Sequence, residues 1–472
     1  MRKLLFISTI FLTLHATAQP PTKGAVEIAL DNLINDPSMQ AGEVGFIAMN
    51  LSNGKVIVDH YGQKSMVPAS IQKAVTTAVA MEKLGPDFQF KTTFSAAGDL
   101  ESKMIYGDIY VFPSGDPTLQ SRYYEANPST IARIKEELAK YPSFDGNLVI
   151  DASVFNKYNT PRGWIWEDMG NYFGSSPTAL MWKDNLLEVY INTGQAGSAA
   201  MLSNKTEALD GFDLDIQVTA SQENKDNAWF FGAPGSDVIY AKGTIPSHRT
   251  NFLVKAAHPD PMKRFGMDVM KAIGKQPKVK VDYEYIPHNE LNPIFTLHSP
   301  PLSSIVRICN QNSINLYAEA LNMQLDTAQR YKSVEGGVAM MEHYLKSKQI
   351  SMKGTRLADG SGLSPTNRMT CQTMIEVLFM MYRSKNKDAY MNSFPIAGKN
   401  GTMSGYFQNT VAEGNIKAKS GSMAGVRNFA GYLTNTQGET VAFCLMVNDF
   451  DESKKSTIIK KMEDLLISVI EN

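Results

Sequence analysis

The N-terminal part of the chain alternates apolar and polar positions in a pattern that predicts one helix and one hairpin. An apolar stripe at helical spacing indicates a helix over 26–34. Two runs rich in β-branched and apolar residues, 44–51 and 55–60, flank Asn53-Gly54, a dipeptide typical of tight hairpin turns. We therefore expect two antiparallel strands directly after the first helix.

The C-terminal part predicts three further strands and a covering helix. Residues 415–419, 426–434 and 439–447 have strand character, and apolar positions at helical spacing indicate a helix over 458–469. Joined to the N-terminal hairpin, these strands would form one five-stranded antiparallel sheet covered by helices. The fold class expected for the two ends is therefore α+β.

The middle of the chain, 92–294, has a different pattern. Short strand-like runs recur there, separated by Gly, Pro, Asp and Asn, at 105–112, 147–150, 187–192, 212–219, 238–242 and 279–286. We interpret this region as a large, mainly β insertion, arranged as two lobes. The remaining segments, 19–91 and 295–472, would together form the catalytic domain. Within the second segment, helices over 302–309 and 316–325 flank a short polar break.

Residues 1–18 have the pattern of a signal peptide, with Arg2-Lys3, an apolar stretch and a small-residue cleavage site. The protein is therefore expected to be exported to the periplasm or another extracytoplasmic compartment, with peripheral membrane association at most. Without two basic residues of that segment, 44 Lys and Arg face 47 Asp and Glu, a net charge of −3. This balance argues against a nucleic-acid partner.

The three cysteines and seven histidines of the chain show no metal-ligand spacing, so no metal site and no cofactor are expected. Cys309, Cys371 and Cys444 lie in mostly apolar surroundings, which indicates buried thiols. One disulfide among them is left open, and at least one cysteine must then remain unpaired.

Ser70-Ile71-Gln72-Lys73 is the motif with the clearest chemical meaning. Positions i and i+3 share one face of a helix, so the serine hydroxyl and the lysine amine would meet. A chain of this length contains about one or two S-x-x-K matches by composition alone, and Ser384–Lys387 is another. Only the match at Ser70–Lys73 begins an apolar helical stripe, which Gly85-Pro86 ends. The match at Ser384–Lys387 has the polar pattern of a solvated loop.

Two more short motifs follow in an order that adds specificity. Ser313-Ile314-Asn315 falls at the predicted break between helices, and Lys419-Ser420-Gly421 falls at a strand end. With S-x-x-K, they resemble the motifs S-x-x-K, S-x-N and K-T-G of the serine-type D-Ala-D-Ala carboxypeptidase/endopeptidase family, the low-molecular-mass class C penicillin-binding proteins. Further runs are similar to that family along nearly the whole chain: 107–110, 115–119, 163–168, 359–364 and 398–402.

This resemblance implies a penicillin-binding/serine β-lactamase-like transpeptidase fold, with extra domains between the first two motifs. The implied partners are peptidoglycan peptides, with β-lactams as covalent inhibitors. A serine hydroxyl needs a base, and a buried lysine can act as one. We expect Ser70 to be the nucleophile and Lys73 its base, and Ser313 to relay the proton.

The remaining expected roles concern substrate binding. Asn315 would hold a substrate amide, and Lys419 and Ser420 would bind the substrate's free carboxylate. The backbone N–H groups of Ser70 and Ser422 would form the oxyanion hole. Residues 359–364 fit equally a structural loop and a substrate contact, whereas Trp164 and Trp166 are expected to be packing residues.

Two alternatives to a penicillin-sensitive D,D-peptidase remain open: a serine β-lactamase, and a non-catalytic cell-wall-binding protein on the same scaffold. The long insertion argues against the first, and the intact motifs argue against the second. A Ser-His-Asp esterase is disfavoured because the chain has no G-x-S-x-G motif. The balance between carboxypeptidase and endopeptidase stays open. So does the preferred third residue of the stem peptide, because Pro365-Thr366-Asn367 replaces a position where family members often have arginine.

Overall fold

The structure, a computed structural model, describes residues 23–124, 129–207, 209, 211–233 and 235–472. The predicted signal peptide, 1–18, lies outside the described residues. Within the described ranges, no helix combines the length and the apolar character needed to cross a bilayer.

The strands and helices of the described ranges follow here in chain order. The strands are β1 Glu43–Asn50, β2 Val56–His60, β3 Lys91–Ala96, β4 Ile109–Pro113, β5 Leu148–Asp151, β6 Leu186–Asn192, β7 Met201–Leu202, β8 Asp213–Ser221, β9 Trp229–Phe231, β10 Val238–Pro246, β11 Phe252–Ala257, β12 Val279–Asp282, β13 Asn292–His298, β14 Lys417–Met423, β15 Val426–Thr434 and β16 Thr440–Asn448. The α-helices are α1 Ala25–Ile34, α2 Gln72–Leu84, α3 Thr130–Leu138, α4 Trp166–Met169, α5 Pro261–Ala272, α6 Leu302–Asn312, α7 Asn315–Leu325, α8 Val334–Ser347, α9 Cys371–Tyr382, α10 Lys387–Met391 and α11 Lys455–Glu471.

A five-stranded antiparallel sheet joins the two ends of the chain, in the order β14-β15-β16-β1-β2. This confirms the predicted hairpin, the three C-terminal strands and their union in one sheet. The predicted first and last helices are also present, as α1 and α11. We call this sheet the central sheet.

Side-chain alternation divides the central sheet's core into two layers, because successive strand residues face opposite sides. On β16, Phe443 and Leu445 pack with α1 and α11, whereas Cys444 and Met446 pack on the other side with α2 and α9. Both faces are thus buried, and helices cover the sheet on each side.

The three cysteines are free and buried. The expectation of buried thiols is confirmed, and the disulfide that the sequence left open is not formed. Cys371 and Cys444 lie side by side between α9 and β16, within the apolar layer.

Between α2 and α6, the chain builds three further sheets. One has five strands in the order β12-β5-β4-β3-β13, and two have three strands each, β8-β10-β9 and β11-β6-β7. Each strand-like run predicted in this region overlaps one of these strands. Helices α3 and α5 also occur here and were not predicted. The boundary placed at 294 falls inside β13, which pairs along its length with β3.

Candidate active site

Ser70 lies in a 3₁₀ turn, Ala69–Ile71, that leads directly into α2. The central sheet anchors the segment before Ser70. The buried Asn428 side chain on β15 donates hydrogen bonds to the carbonyls of Val67 (2.9 Å) and Pro68 (2.8 Å). Ala69 has φ +45°, a left-handed conformation that is uncommon outside glycine. The serine is therefore placed by tertiary contacts and does not depend on helix propensity alone.

Lys73 follows one helical turn later and is fully buried. Its Nζ lies 2.9 Å from Ser70 Oγ, 2.6 Å from Asn315 Oδ1 and 2.7 Å from the Ser361 carbonyl oxygen. Burial lowers the pKa of Lys73 to about 8, because a charged ammonium loses hydration there. A neutral amine has two N–H donors and one lone pair. The two carbonyl oxygens can take both donors, which leaves the lone pair for the serine hydroxyl.

Ser313 and Asn315 enter the same cleft at the junction of α6 and α7. The predicted polar break, 310–315, is much shorter in the structure, since α6 ends at Asn312 and α7 begins at Asn315. Ser313 has φ +57°, which reverses the chain direction between the helices. This brings Ser313 Oγ to 2.9 Å from Lys419 Nζ, while the Asn315 amide contacts Lys73.

Lys419 and Ser420 lie on β14, at the edge of the central sheet. The fully buried Lys419 Nζ also donates to the Ser420 carbonyl at 2.7 Å. Burial lowers the pKa of Lys419 well below its ordinary value, and the positive charge of Lys73 lowers it further. Ser420 Oγ donates to Thr402 Oγ1 at 2.8 Å. Thr402 belongs to one of the runs that resemble the family, but the sequence alone did not single it out as a site residue.

Strand β14 packs directly against the turn that contains Ser70. A Cβ atom at Gly421 would lie 2.8 Å from the Pro68 carbonyl oxygen and 3.2 Å from the Ser70 nitrogen, so only glycine fits there. Ser422 follows on the same strand and is exposed. The structure thus places the strand that carries Ser422 against the Ser70 turn. The oxyanion hole formed by the backbone N–H groups of Ser70 and Ser422 stays a prediction.

Two fully buried carboxyl groups, those of Glu319 and Asp359, lie near Lys73, and the sequence analysis missed Glu319. Glu319 on α7 accepts hydrogen bonds from the backbone N–H groups of Gly360 (3.0 Å) and Ser361 (2.7 Å). Burial and the neighbouring Asp359 raise the pKa of Glu319 to about 8. The signal that could have found Glu319 is its position, one helical turn after Asn315 on the same helix face.

Asp359 has a structural role in the cleft. Its carboxylate accepts five hydrogen bonds from the protein, from the side chains of Gln72, Trp164 and Asn367 and from the backbone N–H groups of Gly362 and Ser364. These bonds fold residues 359–364 into a compact loop. That loop presents the Ser361 carbonyl to Lys73, so the structural reading of this motif is the one that the contacts favour.

The region between α2 and α6 supplies one wall of the cleft. Asn315 Nδ2 donates to the Phe173 carbonyl at 2.8 Å, and Trp164 Nε1 donates to Asp359 at 2.9 Å. Trp164 is buried, as expected of a packing residue, whereas Trp166 is 47% exposed. Trp166 nevertheless packs against other aromatic rings, at 5.0 Å from Phe231.

The S-x-x-K match at Ser384–Lys387 does not form a comparable pair. Ser384 Oγ donates to Glu82, and the Lys387 ammonium lies 3.8 Å from the Tyr382 ring centroid. Lys387 begins α10, so this segment is a loop that leads into a short helix. The surroundings, and not the motif, distinguish the two serines.

Comparisons with known proteins agree with this geometry. A protein from Haemophilus influenzae, the D-alanyl-D-alanine carboxypeptidase DacB, is 28% identical over 475 residues, which cover 95% of this chain and 94% of the relative. The D-alanyl-D-alanine carboxypeptidase of Actinomadura sp. strain R39 is 24% identical, over 89% of this chain and 80% of that protein.

Among solved structures, penicillin binding protein 4 (dacB) from Haemophilus influenzae superposes with a TM-score of 0.80 at 25% identity, covering 95% of this chain and 99% of that one. The expected penicillin-binding-protein fold is thereby confirmed. The D-Ala-D-Ala carboxypeptidase 3 (S13) family matches residues 26–469. With the serine–lysine pair in its cleft and this match over nearly its whole length, the chain belongs to the D-Ala-D-Ala carboxypeptidase 3 (S13) family.

Proposed function

We propose that this chain is a serine D,D-peptidase that cleaves D-Ala-D-Ala-containing stem peptides through an acyl-serine intermediate. The observation that carries the proposal is the buried Lys73 amine, which lies 2.9 Å from Ser70 Oγ and has two carbonyl oxygens to accept its other hydrogens. At a pKa of about 8, roughly a tenth of the lysine is neutral at pH 7. This fraction supplies a base that an exposed lysine would not provide.

In the first step, Ser70 Oγ bonds to the scissile carbonyl carbon and gives its proton to Lys73. When the C–N bond breaks, the leaving amine needs a proton. Ser313 would relay the proton from Lys73 to the leaving amine, since the Ser313 hydroxyl lies in the same cleft and contacts Lys419 at 2.9 Å. Free D-alanine leaves, and water then hydrolyses the ester to restore the Ser70 hydroxyl.

Substrate binding is assigned to groups around that pair. Asn315 would hold a backbone amide of the substrate, while Lys419 and Ser420 would bind its terminal carboxylate. A carboxylate offsets the cost of charging a buried ammonium, so substrate binding would raise the pKa of Lys419 from its low value. The N–H groups of Ser70 and Ser422 would stabilise the oxyanion.

The cellular setting is also part of the proposal. Peptidoglycan stem peptides carry the D-Ala-D-Ala group, and the related proteins are named for activity on it. A β-lactam would acylate Ser70 in the same way, as a covalent inhibitor. We place the protein in the periplasm or another extracytoplasmic compartment, on the basis of the signal-peptide pattern at 1–18.

We further propose that segments 19–91 and 295–472 act as the catalytic domain and that 92–294 is an inserted unit. The central sheet draws its strands from the two outer segments. The region between α2 and α6 contributes Trp164 and Phe173 to one wall of the cleft. On this proposal, the insertion positions the cleft and supplies none of the reacting groups.

Purified muropeptides test the proposed activity. The chain is incubated with pentapeptide monomers and with cross-linked dimers, and the products are identified by mass spectrometry. We expect the monomer to lose one alanine, or the dimer to split, with both reactions abolished in Ser70→Ala. Intact substrates with the wild-type chain would contradict the proposal, and rapid turnover of penicillin would favour a β-lactamase instead.

A further inference from the structure

The outer face of the β8-β10-β9 sheet carries a set of aromatic rings that the reaction does not use. On β9, Phe230 is buried while Trp229 and Phe231 point to the opposite side, as strand alternation requires. Tyr240 on β10 lies directly opposite Phe231, and their rings stack at 5.1 Å. Trp166 on α4 completes the set at 5.7 Å from the Tyr240 ring.

These rings are accessible to a ligand. Trp166 is 47% exposed and Trp229 is 46% exposed. Tyr172, also 47% exposed, contacts the Phe173 ring at 5.5 Å, and Phe173 in turn contacts Trp229. We call the rings of Trp166, Tyr172, Trp229, Phe231 and Tyr240 the aromatic face. Exposed aromatic rings in contact with one another are unusual on a surface that has no partner.

Hydrogen-bonding groups border the aromatic face. Lys242 lies opposite Trp229 in the sheet register and its ammonium is 5.2 Å from the Tyr240 ring. On the neighbouring strand β8, Asp215 and Gln217 pair with Tyr240 and Lys242, and both are exposed. Flat rings flanked by amide, carboxylate and ammonium groups suit a ligand with apolar C–H faces and many hydroxyl or acetamido groups, such as a sugar chain.

The aromatic face is continuous with the catalytic cleft. The Phe173 ring packs edge-to-face on Trp229 at 6.0 Å, and the carbonyl of Phe173 accepts the hydrogen bond from Asn315. The buried Asn171 ties this segment to β9, because its side chain bonds to both the N–H (3.1 Å) and the carbonyl (3.2 Å) of Phe230. The rings and the cleft wall are thus parts of one connected structure.

We propose that the aromatic face binds the glycan strand of peptidoglycan, a chain of N-acetylated amino sugars, while the stem peptide enters the cleft. This inference rests on the proposed function, since the glycan is the part of that substrate to which the stem peptide is attached. A stem peptide of five residues spans about 17 Å when extended. Three residues, Lys73, Asn315 and Phe173, link Ser70 to Trp229 through successive contacts, with Asn315 bonded to the backbone carbonyl of Phe173, which is compatible with such a span.

Binding of peptide-free glycan strands, prepared from peptidoglycan with an amidase, tests this inference. Binding is measured for the wild-type chain, Trp166→Ala, Trp229→Ala and the control Tyr106→Ala. Tyr106 is also an exposed aromatic residue, but its backbone bonds to Ala97, beside β3, and not to the β8-β10-β9 sheet. We expect both tryptophan variants to bind at least tenfold more weakly, about 1.4 kcal/mol, and the control to bind like the wild type.

Labelling by a fluorescent penicillin is measured in parallel for every variant. A variant that loses the labelling seen with the wild type is recognised as misfolded, and the labelling separates failure of the glycan-binding proposal from failure of the peptidase proposal. Trp166→Ala serves as the second variant if Trp229→Ala does not fold. Equal glycan binding by the wild type and the folded variants, or no glycan binding by the wild type, would overturn the inference. Tryptophan-dependent glycan binding by a chain that penicillin does not label would support the aromatic face and contradict the peptidase function.

Discussion

At the scale of single residues, the proposed chemistry rests on Lys73 and its neighbours. A lysine amine ordinarily lies in water as an ammonium ion, yet here it is fully buried beside Glu319, Asp359 and the second buried lysine, Lys419. The carboxylates favour its charged form and burial opposes that form. The net effect is a pKa near 8, which is suited to a base that must be partly neutral around neutral pH.

The pH dependence of acylation follows from that value. Protonated Lys73 cannot accept the Ser70 proton, so the acylation rate constant should fall about tenfold for each pH unit below about 8 and level off above it. The measurement is the second-order rate constant of labelling by a fluorescent penicillin between about pH 6 and about pH 9. A rate that does not change across this range would show that Lys73 is not the base.

Glu319→Gln separates an electrostatic role of this carboxylate from a purely structural one. Because the pKa of Glu319 is about 8, this carboxyl is ionised only near the upper end of the acidic limb of the acylation profile. Removing that negative charge favours neutral Lys73, so the upper part of the limb should move to lower pH. Glu335→Gln is the matched control, because Glu335 lies on the surface in an exposed ion pair with Arg162. If the acylation rate constant of Glu319→Gln fell by the same factor at every pH, with no shift of the profile along the pH axis, Glu319 would only support the loop at residues 359–364.

The sequence was sufficient to predict Ser70, Lys73, Ser313 and Lys419 as neighbours, because each lies in a short motif with known spacing. Glu319 could not be found in this way. A polar residue on a helix ordinarily faces solvent, and its burial depends on α7 packing against the loop at residues 359–364. Contacts of this kind join segments far apart in the chain, so the helical spacing from Asn315 alone does not show that Glu319 is buried.

At the scale of elements, β14 packs directly against the Ser70 turn. Gly421→Ala would place a methyl group 2.8 Å from the Pro68 carbonyl oxygen and push the strand away from Ser70. We expect at least a tenfold loss of acylation rate with little change in secondary structure, as measured by penicillin labelling and circular dichroism. Gly405→Ala is the control, since no atom lies within 4 Å of the Cβ position there. Equal activity of the two variants would contradict this account of the cleft.

Helices and strands with strong periodicity were predicted well, whereas the pairing partners of the short strands in the middle region were not. The strands of the central sheet, which is buried on both faces, followed from apolar runs and turn signals, and helices α1 and α11 followed from apolar spacing because each packs one face on that sheet. In the middle region, β4 pairs in parallel with β5, and β5 with β12, which are far apart in sequence. Such pairing depends on crossover connections, and a short strand-like run does not indicate its partner.

At the scale of the whole molecule, the hydrogen bond from Trp164 to Asp359 joins the middle region to the cleft. Trp164→Phe keeps an aromatic ring but removes the donor, so Asp359 loses one of its five hydrogen bonds. We expect a loss of about 2 kcal/mol in the free energy of unfolding, measured by urea denaturation. Trp166→Phe should change it by less than about 0.5 kcal/mol, because that side chain is half exposed. Equal effects of the two substitutions would show that this contact does not stabilise the protein.

The assembly of the cleft from both ends of the chain is the central claim, with Ser70 as the group that is acylated. Intact-protein mass spectrometry after incubation with penicillin, followed by peptide mapping, tests it most directly. The wild-type chain is predicted to gain the mass of one penicillin on the peptide that contains Ser70, and Ser70→Ala is predicted to gain none. An adduct of equal yield on Ser70→Ala, or one mapped to another serine, would contradict the account.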